Sequence, residues 1–194
     1  MIPPKAHALI AAAALAASGV AAEAHIINFF AKLDGLQVVD PTNSTATGAA
    51  SIKYDHHSFT INVKLYLDGI GIDDLKGDGP NDTPIHMHMA PVGENGPIVV
   101  DLSWWSTTHF IEYEPKKLFI QWDSVILGGE QGEFETDIFE NDTALTNSGL
   151  YLDVHTNAYP AGEIRGQILP VPAPGPLATF AAAALVATRR RRAR

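Results

Sequence analysis

The sequence predicts an all-β protein: a single Greek-key β-sandwich or barrel, flanked by an N-terminal signal segment and a short C-terminal apolar segment. Three observations carry that prediction. Many short runs alternate apolar and polar residues with the period of two that a half-buried strand requires. No stretch sustains a helical period, and no repeat of fixed length is present. Clusters of Gly, Pro, Asn and Asp separate the runs, which is the turn chemistry of a sheet protein.

In chain order, residues 26–33 read as a first strand, followed by a turn at Asp34-Gly35. Residues 46–54 form a second strand, with Asp55-His56-His57-Ser58 as a hairpin connection. Residues 59–67 alternate most clearly: Phe59, Ile61, Val63, Leu65 and Leu67 face in, and Thr60, Asn62, Lys64 and Tyr66 face out. Residues 68–84 are an acidic, Gly-rich loop. Asp73, Asp74, Asp78 and Asp82 fall within it, but the run lacks the D-x-D-x-D-G pattern and Pro80 interrupts it, so solvated loop is expected rather than a calcium site.

A short strand at 85–89 points Ile85, Met87 and Met89 one way and His86 and His88 the other. Residues 97–102 continue as a strand, and Trp104-Trp105 follow in a loop, either as a cap on the core or as a carbohydrate-stacking surface. Residues 118–122 place Leu118, Ile120 and Trp122 on one face, and residues 133–139 are expected to be a further strand.

The chain is organised around its last hairpin, residues 150–168. Leu150, Leu152 and Val154 alternate with Tyr151, Asp153 and His155; Ile164, Gly166 and Ile168 alternate with Glu163, Arg165 and Gln167. This predicts one oily face and one charged face. A cross-strand Arg–carboxylate pair would fix the register, with Glu163 and Arg165 as a structural pair. Gly166, lacking a side chain, leaves room for another backbone or an aromatic ring.

Val154-His155-Thr156, the Pro/Gly loop and Gly162-Glu163-Ile164-Arg165-Gly166-Gln167-Ile168 resemble the closing motif of the CHRD domain, first named in chordin. His86-Met87-His88 and Gly93-Glu94-Asn95-Gly96-Pro97-Ile98-Val99 resemble its core. Phe30-Ala31-Lys32-Leu33-Asp34-Gly35 and Thr47-Gly48-Ala49-Ala50 resemble its start. The likeness runs over about residues 26–169, and the middle, from 103 to 146, departs from the family pattern. It marks Gly162, Glu163, Arg165 and Gly166 as structural residues. It implies an extracellular location more firmly than an activity.

The 194 residues suffice for one domain with additional ends. There is no cysteine, which excludes disulfides and thiolate sites. Lys5 and five arginines among residues 189–194 hold six of the 13 basic residues. Residues 25–170 keep seven basic residues against 21 acidic ones, a charge near −14. Such a surface repels nucleic acid and anionic lipid.

Residues 1–24 are expected to be a secretory signal peptide. Lys5 precedes an apolar stretch at 8–20 that is too short to span a bilayer, and Ala22-Glu23-Ala24 is an A-x-A cleavage site that would leave His25 first. Val20-Ala21-Ala22 is a second possible site, and an uncleaved anchor is the alternative reading. The domain is expected over 25–170 and a stiff Pro-rich linker over 171–176. An apolar tail with an Arg-rich end follows over 177–194. This end resembles a PEP-CTERM sorting tail, which implies an exosortase-like protease and a Gram-negative cell envelope. Ala173 stands where that motif usually has Glu, and a simple tail anchor is the other reading. Either way the membrane is met only through the terminal segments.

The sharpest chemical feature is His86-x-His88 with His155. Residues i and i+2 on a strand share a face, so two imidazoles there can share one ion, and a third suits copper or zinc. The spacing is similar to the copper-ligand pattern of Cu,Zn superoxide dismutase, whose zinc loop and cysteines have no counterpart here. The alternative is a hydrogen-bonded network of these histidines with Glu163 and Asp153. His56 and His57 are expected on the surface, His109 is uninformative, and His25 as a free N-terminus is a further copper chelator. No G-x-S-x-G elbow, P-loop or H-E-x-x-H is present, so no catalytic residues are expected. The expected function is that of an exported, non-enzymatic binding or structural module whose partner is an extracellular protein or polysaccharide. The alternative is a copper- or zinc-binding protein.

Overall fold

The computed structural model describes residues 26–75, 84–131 and 134–172. The signal segment, His25, Asp78, Asp82, most of the linker and the tail lie outside the described residues. Twelve strands are present among those described: β1 Ile26–Asp34, β2 Thr47–Asp55, β3 Thr60–Asp68, β4 Ile85–Met89, β5 Ile98–Asp101, β6 His109–Glu114, β7 Lys117–Ile126, β8 Gly129–Gln131, β9 Phe134–Thr136, β10 Leu150–Val154, β11 Ile164–Gln167 and β12 Leu169–Pro170. Among the described residues one α-helix, α1 (Ile138–Thr146), stands between β9 and β10.

Ten strands make one curled antiparallel sheet in the order β5-β4-β10-β11-β1-β2-β3-β7-β6, with β12 also on β1. The class is the all-β one predicted. β3 alternates as read, with Ile61, Val63, Leu65 and Leu67 buried, and β1 and β2 alternate likewise, burying Phe29, Ala31 and Leu33, and Ala50, Ile52 and Tyr54. They join Leu118, Ile120 and Trp122 of β7 and Leu150, Leu152 and Val154 of β10 in one apolar cluster. One concave face therefore carries the core, and burial of each such side chain contributes about 1.5–3 kcal/mol.

The final hairpin lies inside the sheet rather than at its edge. β11 pairs with β10 on one side and with β1 on the other. A Cβ at Gly166 would sit 2.4 Å from the Lys32 carbonyl oxygen. The room predicted over Gly166 is thus filled by the backbone of β1.

The hairpin's charged face is buried, with Asp153, Glu163, Arg165 and Gln167 all inside. Two expectations are corrected. Glu163 does not pair with Arg165. Its two carboxylate oxygens accept hydrogen bonds from Ser44 Oγ and Thr156 Oγ1, both 2.5 Å, which ties the loop before β2 to the hairpin. Residues 133–139 are not one strand: β9 ends at Thr136, and α1 begins after Asp137, whose Oδ1 accepts from the amides of Phe139 and Glu140. The strand β6 was not read from the sequence; all six of its residues are exposed at the sheet edge.

Trp105 packs against the core, whereas Trp104 is exposed. Asp74 accepts from the Gly71 amide and meets Lys116 Nζ at 3.3 Å, so its carboxylate serves the fold. α1 is held to the sheet by Tyr54, fully buried, whose hydroxyl donates to Asp142 Oδ1 at 2.7 Å. Burial, helped by that bond, pushes the Tyr54 phenol well above its usual range. Tyr54→Phe is expected to lower stability by about 1 kcal/mol, the net worth of such a bond, read as a shifted midpoint in urea.

Candidate metal centre

The site is laid out by strand register. Across β4, β10 and β11, His86 stands opposite Asp153, which stands opposite Arg165. One row along, His88 stands opposite Tyr151, which stands opposite Gln167. Residues of one row share a sheet face, and alternate residues along a strand return to it. His86 and His88 therefore project together, and His155, just beyond β10, joins them.

The three rings converge. One ring nitrogen from each of His86, His88 and His155 lies within 4.8 Å of the others. Ring centroids are 5.0 Å apart for His86 and His155, 5.6 Å for His86 and His88, and 6.3 Å for His88 and His155. Three atoms so spaced lie within about 2.8 Å of a common point, against a metal–nitrogen bond of about 2 Å. Small side-chain rotations close that difference. Among the described residues this is the one such group of three or more His, Cys, Asp or Glu side chains.

Backbone carbonyls set two of the rings. His88 Nδ1 lies 3.0 Å from the Gly96 carbonyl oxygen, and His155 Nδ1 lies 3.1 Å from that of Pro160. A carbonyl only accepts, so each Nδ1 donates its proton and the lone pair resides on Nε2. His88 Nε2 is buried with no hydrogen-bond partner. A carbonyl behind one nitrogen and a lone pair on the other is the arrangement that orients metal-binding imidazoles. Burial lowers the His88 pKa to about 4, the Gly96 bond acting against the shift and the Arg165 charge adding to it. His88 is thus neutral at physiological pH, as a ligand must be.

Aromatic packing fixes the His88 ring further. It stacks on Tyr151 with centroids 4.9 Å apart and planes 5° from parallel. From β11, the Arg165 guanidinium lies 3.4 Å above the centroid of the same Tyr151 ring.

Beside the three rings lies a buried carboxylate. Asp153 Oδ2 is 3.9 Å from His155 Nε2, and Asp153 Oδ1 has no hydrogen-bond partner. Burial raises its pKa to about 7, with the Val154 amide and the Arg165 charge acting against the shift. Gly162 makes room for it: at φ 118°, a Cβ there would meet both Asp153 oxygens within 3 Å. No signal in the sequence paired Gly162 with Asp153.

The other histidines stay apart from this group. His56 and His57 are exposed on the β2–β3 connection, with His56 Nε2 3.5 Å from Asp142, and His109 is exposed on β6. Of the residues singled out as structural, Gly162, Glu163, Arg165 and Gly166 each hold a distinct contact around the hairpin, as described above.

Among curated proteins and among solved structures, nothing matches the chain. A sequence model of the CHRD domain matches residues 29–168, more than two-thirds of the chain, and takes in all three histidines and the whole hairpin. The chain belongs to the CHRD domain family.

Proposed function

We propose that this protein is an exported, non-enzymatic CHRD module that binds one copper or zinc ion through His86, His88 and His155. The observation that carries the reading is the convergence of three ring nitrogens within 4.8 Å on one face of the sheet. The chemistry of the site supports it. Three neutral imidazoles without a thiolate suit copper or zinc. The Asp153 carboxylate, buried with one oxygen unbonded, would be stabilised by a cation beside it.

The N-terminal segment supports export, and the tail supports retention at, or release from, a Gram-negative cell envelope by an exosortase-like protease. Extracellular protein or polysaccharide is the partner class that fits an acidic body, which disfavours nucleic acid. Intact mass of the protein from its native host checks the tail: loss of the last segment is the expected result.

Metal analysis of the purified protein tests the centre. One copper or zinc per chain, bound with micromolar affinity or better, is expected. His109→Ala should leave that stoichiometry unchanged, since His109 stands on the edge strand β6. If no transition metal co-purifies or binds in that range, the chain is a binding module without a metal centre.

A further inference from the structure

A second site adjoins the first on the same sheet face, where Arg165 and His88 both pack on Tyr151. Residues 36–39 and Pro41, after β1, and Val92 and Gly93, after β4, line an open pocket of about 310 Å³. Its rim is apolar and solvent-facing: Leu36 is 80% exposed and Val92 is 76% exposed, with Val39 and Pro41 beside them. Its floor is the opposite in character. Arg165, only 2% exposed, lies there with Gln167.

The Arg165 guanidinium lies over the Tyr151 ring but has no ion-pair partner among the described residues. It donates to Asn95 Oδ1 and to the Pro91 carbonyl, both at 3.3 Å. These are long bonds to neutral acceptors and use two of the five N–H donors an arginine carries. The cross-strand neighbour of Arg165, Asp153, acts only at longer range, and Glu163 is taken up by Ser44 and Thr156. The Gln167 amide N–H groups donate to the carbonyls of Ala90 and Ser148.

A buried cation at the foot of an apolar opening is suited to a carboxylate on an aliphatic body, the head meeting the guanidinium and the chain lying along the rim. The acidic body, near −14 over residues 25–170, repels polyanions, whereas a single carboxylate is drawn by the local charge. We propose that this pocket binds a monocarboxylate with a short aliphatic chain, with Arg165 recognising the carboxylate and Leu36 and Val92 the chain.

Calorimetric titration of the purified full chain with hexanoate, hexan-1-ol and hexylamine tests this. Hexanoate should bind saturably at one site, at least tenfold more tightly than hexan-1-ol, and hexylamine should not bind. Arg165→Lys and Val92→Asp should each weaken hexanoate at least tenfold. Val92 is exposed, so its variant decides the matter if Arg165→Lys does not fold. His109→Ala, on the exposed edge strand β6, should leave hexanoate binding unchanged. Equal affinity for hexanoate and hexan-1-ol, unchanged affinity in Val92→Asp, or absence of saturable hexanoate binding would overturn the proposal.

Discussion

His88→Ala is expected to weaken copper or zinc binding by at least about a hundredfold. Loss of an outer-shell partner alone costs about 10–100-fold in metal affinity, and in the proposed centre His88 would be a ligand itself. Its ring is fixed from two directions, by the Gly96 carbonyl and by the Tyr151 face. The effect is separable from damage to the fold. At a metal concentration a hundred times Kd, binding stabilises the wild-type protein by about 2.7 kcal/mol. A thermal melt should therefore show a metal-dependent rise for the wild type and none for His88→Ala, while the two metal-free midpoints stay close. An equal metal-induced rise in both would remove His88 from the centre.

Gly166→Ala should have the largest effect on stability. The added methyl would stand 2.4 Å from the Lys32 carbonyl oxygen and 2.8 Å from its carbonyl carbon. Both atoms belong to the backbone of β1, which is hydrogen-bonded to β2 along its whole length and cannot turn aside as a side chain would. Separating β11 from β1 is the remaining route, and it opens the middle of the sheet. A loss of about 3 kcal/mol is expected from such overpacking, or roughly 10 °C in the midpoint for a domain of this size. Denaturation in urea gives the figure directly. A loss below about 0.5 kcal/mol would mean that the two strands do not lie as close as described.

The reach of the sequence followed the strength of alternation. Where every second residue is apolar, as from Ile61 to Leu67, strand and buried face were both legible, because only a two-residue period satisfies the pattern. His86 and His88 were legible for the same reason: their apolar neighbours Ile85 and Met87 enter the core and oblige the imidazoles to share the other face. The convergence of His155 on that pair was legible only as a possibility, since it depends on β10 lying next to β4.

Helix α1 was hidden by composition. Its inward positions include Asn141, a polar residue buried to bond the Leu127 carbonyl and Thr136 Oγ1, so the apolar stripe is interrupted. Thr, Asn and Asp in its nine residues also lower helix propensity. The strand β6 has neither face buried, so burial wrote no clear pattern into it. Glu163 misled because a carboxylate two residues from an arginine on a strand suggests a pair. Of its two partners, Thr156 and Ser44, the second is 119 residues away, and nothing local marks it.

Anomalous diffraction from crystals soaked in copper or zinc tests the central claim most directly. One strong peak is expected, about 2.0–2.1 Å from a single ring nitrogen of each of His86, His88 and His155. A map with no peak among these three rings, or with the ion seated instead on His56, His57 or His109, would contradict it.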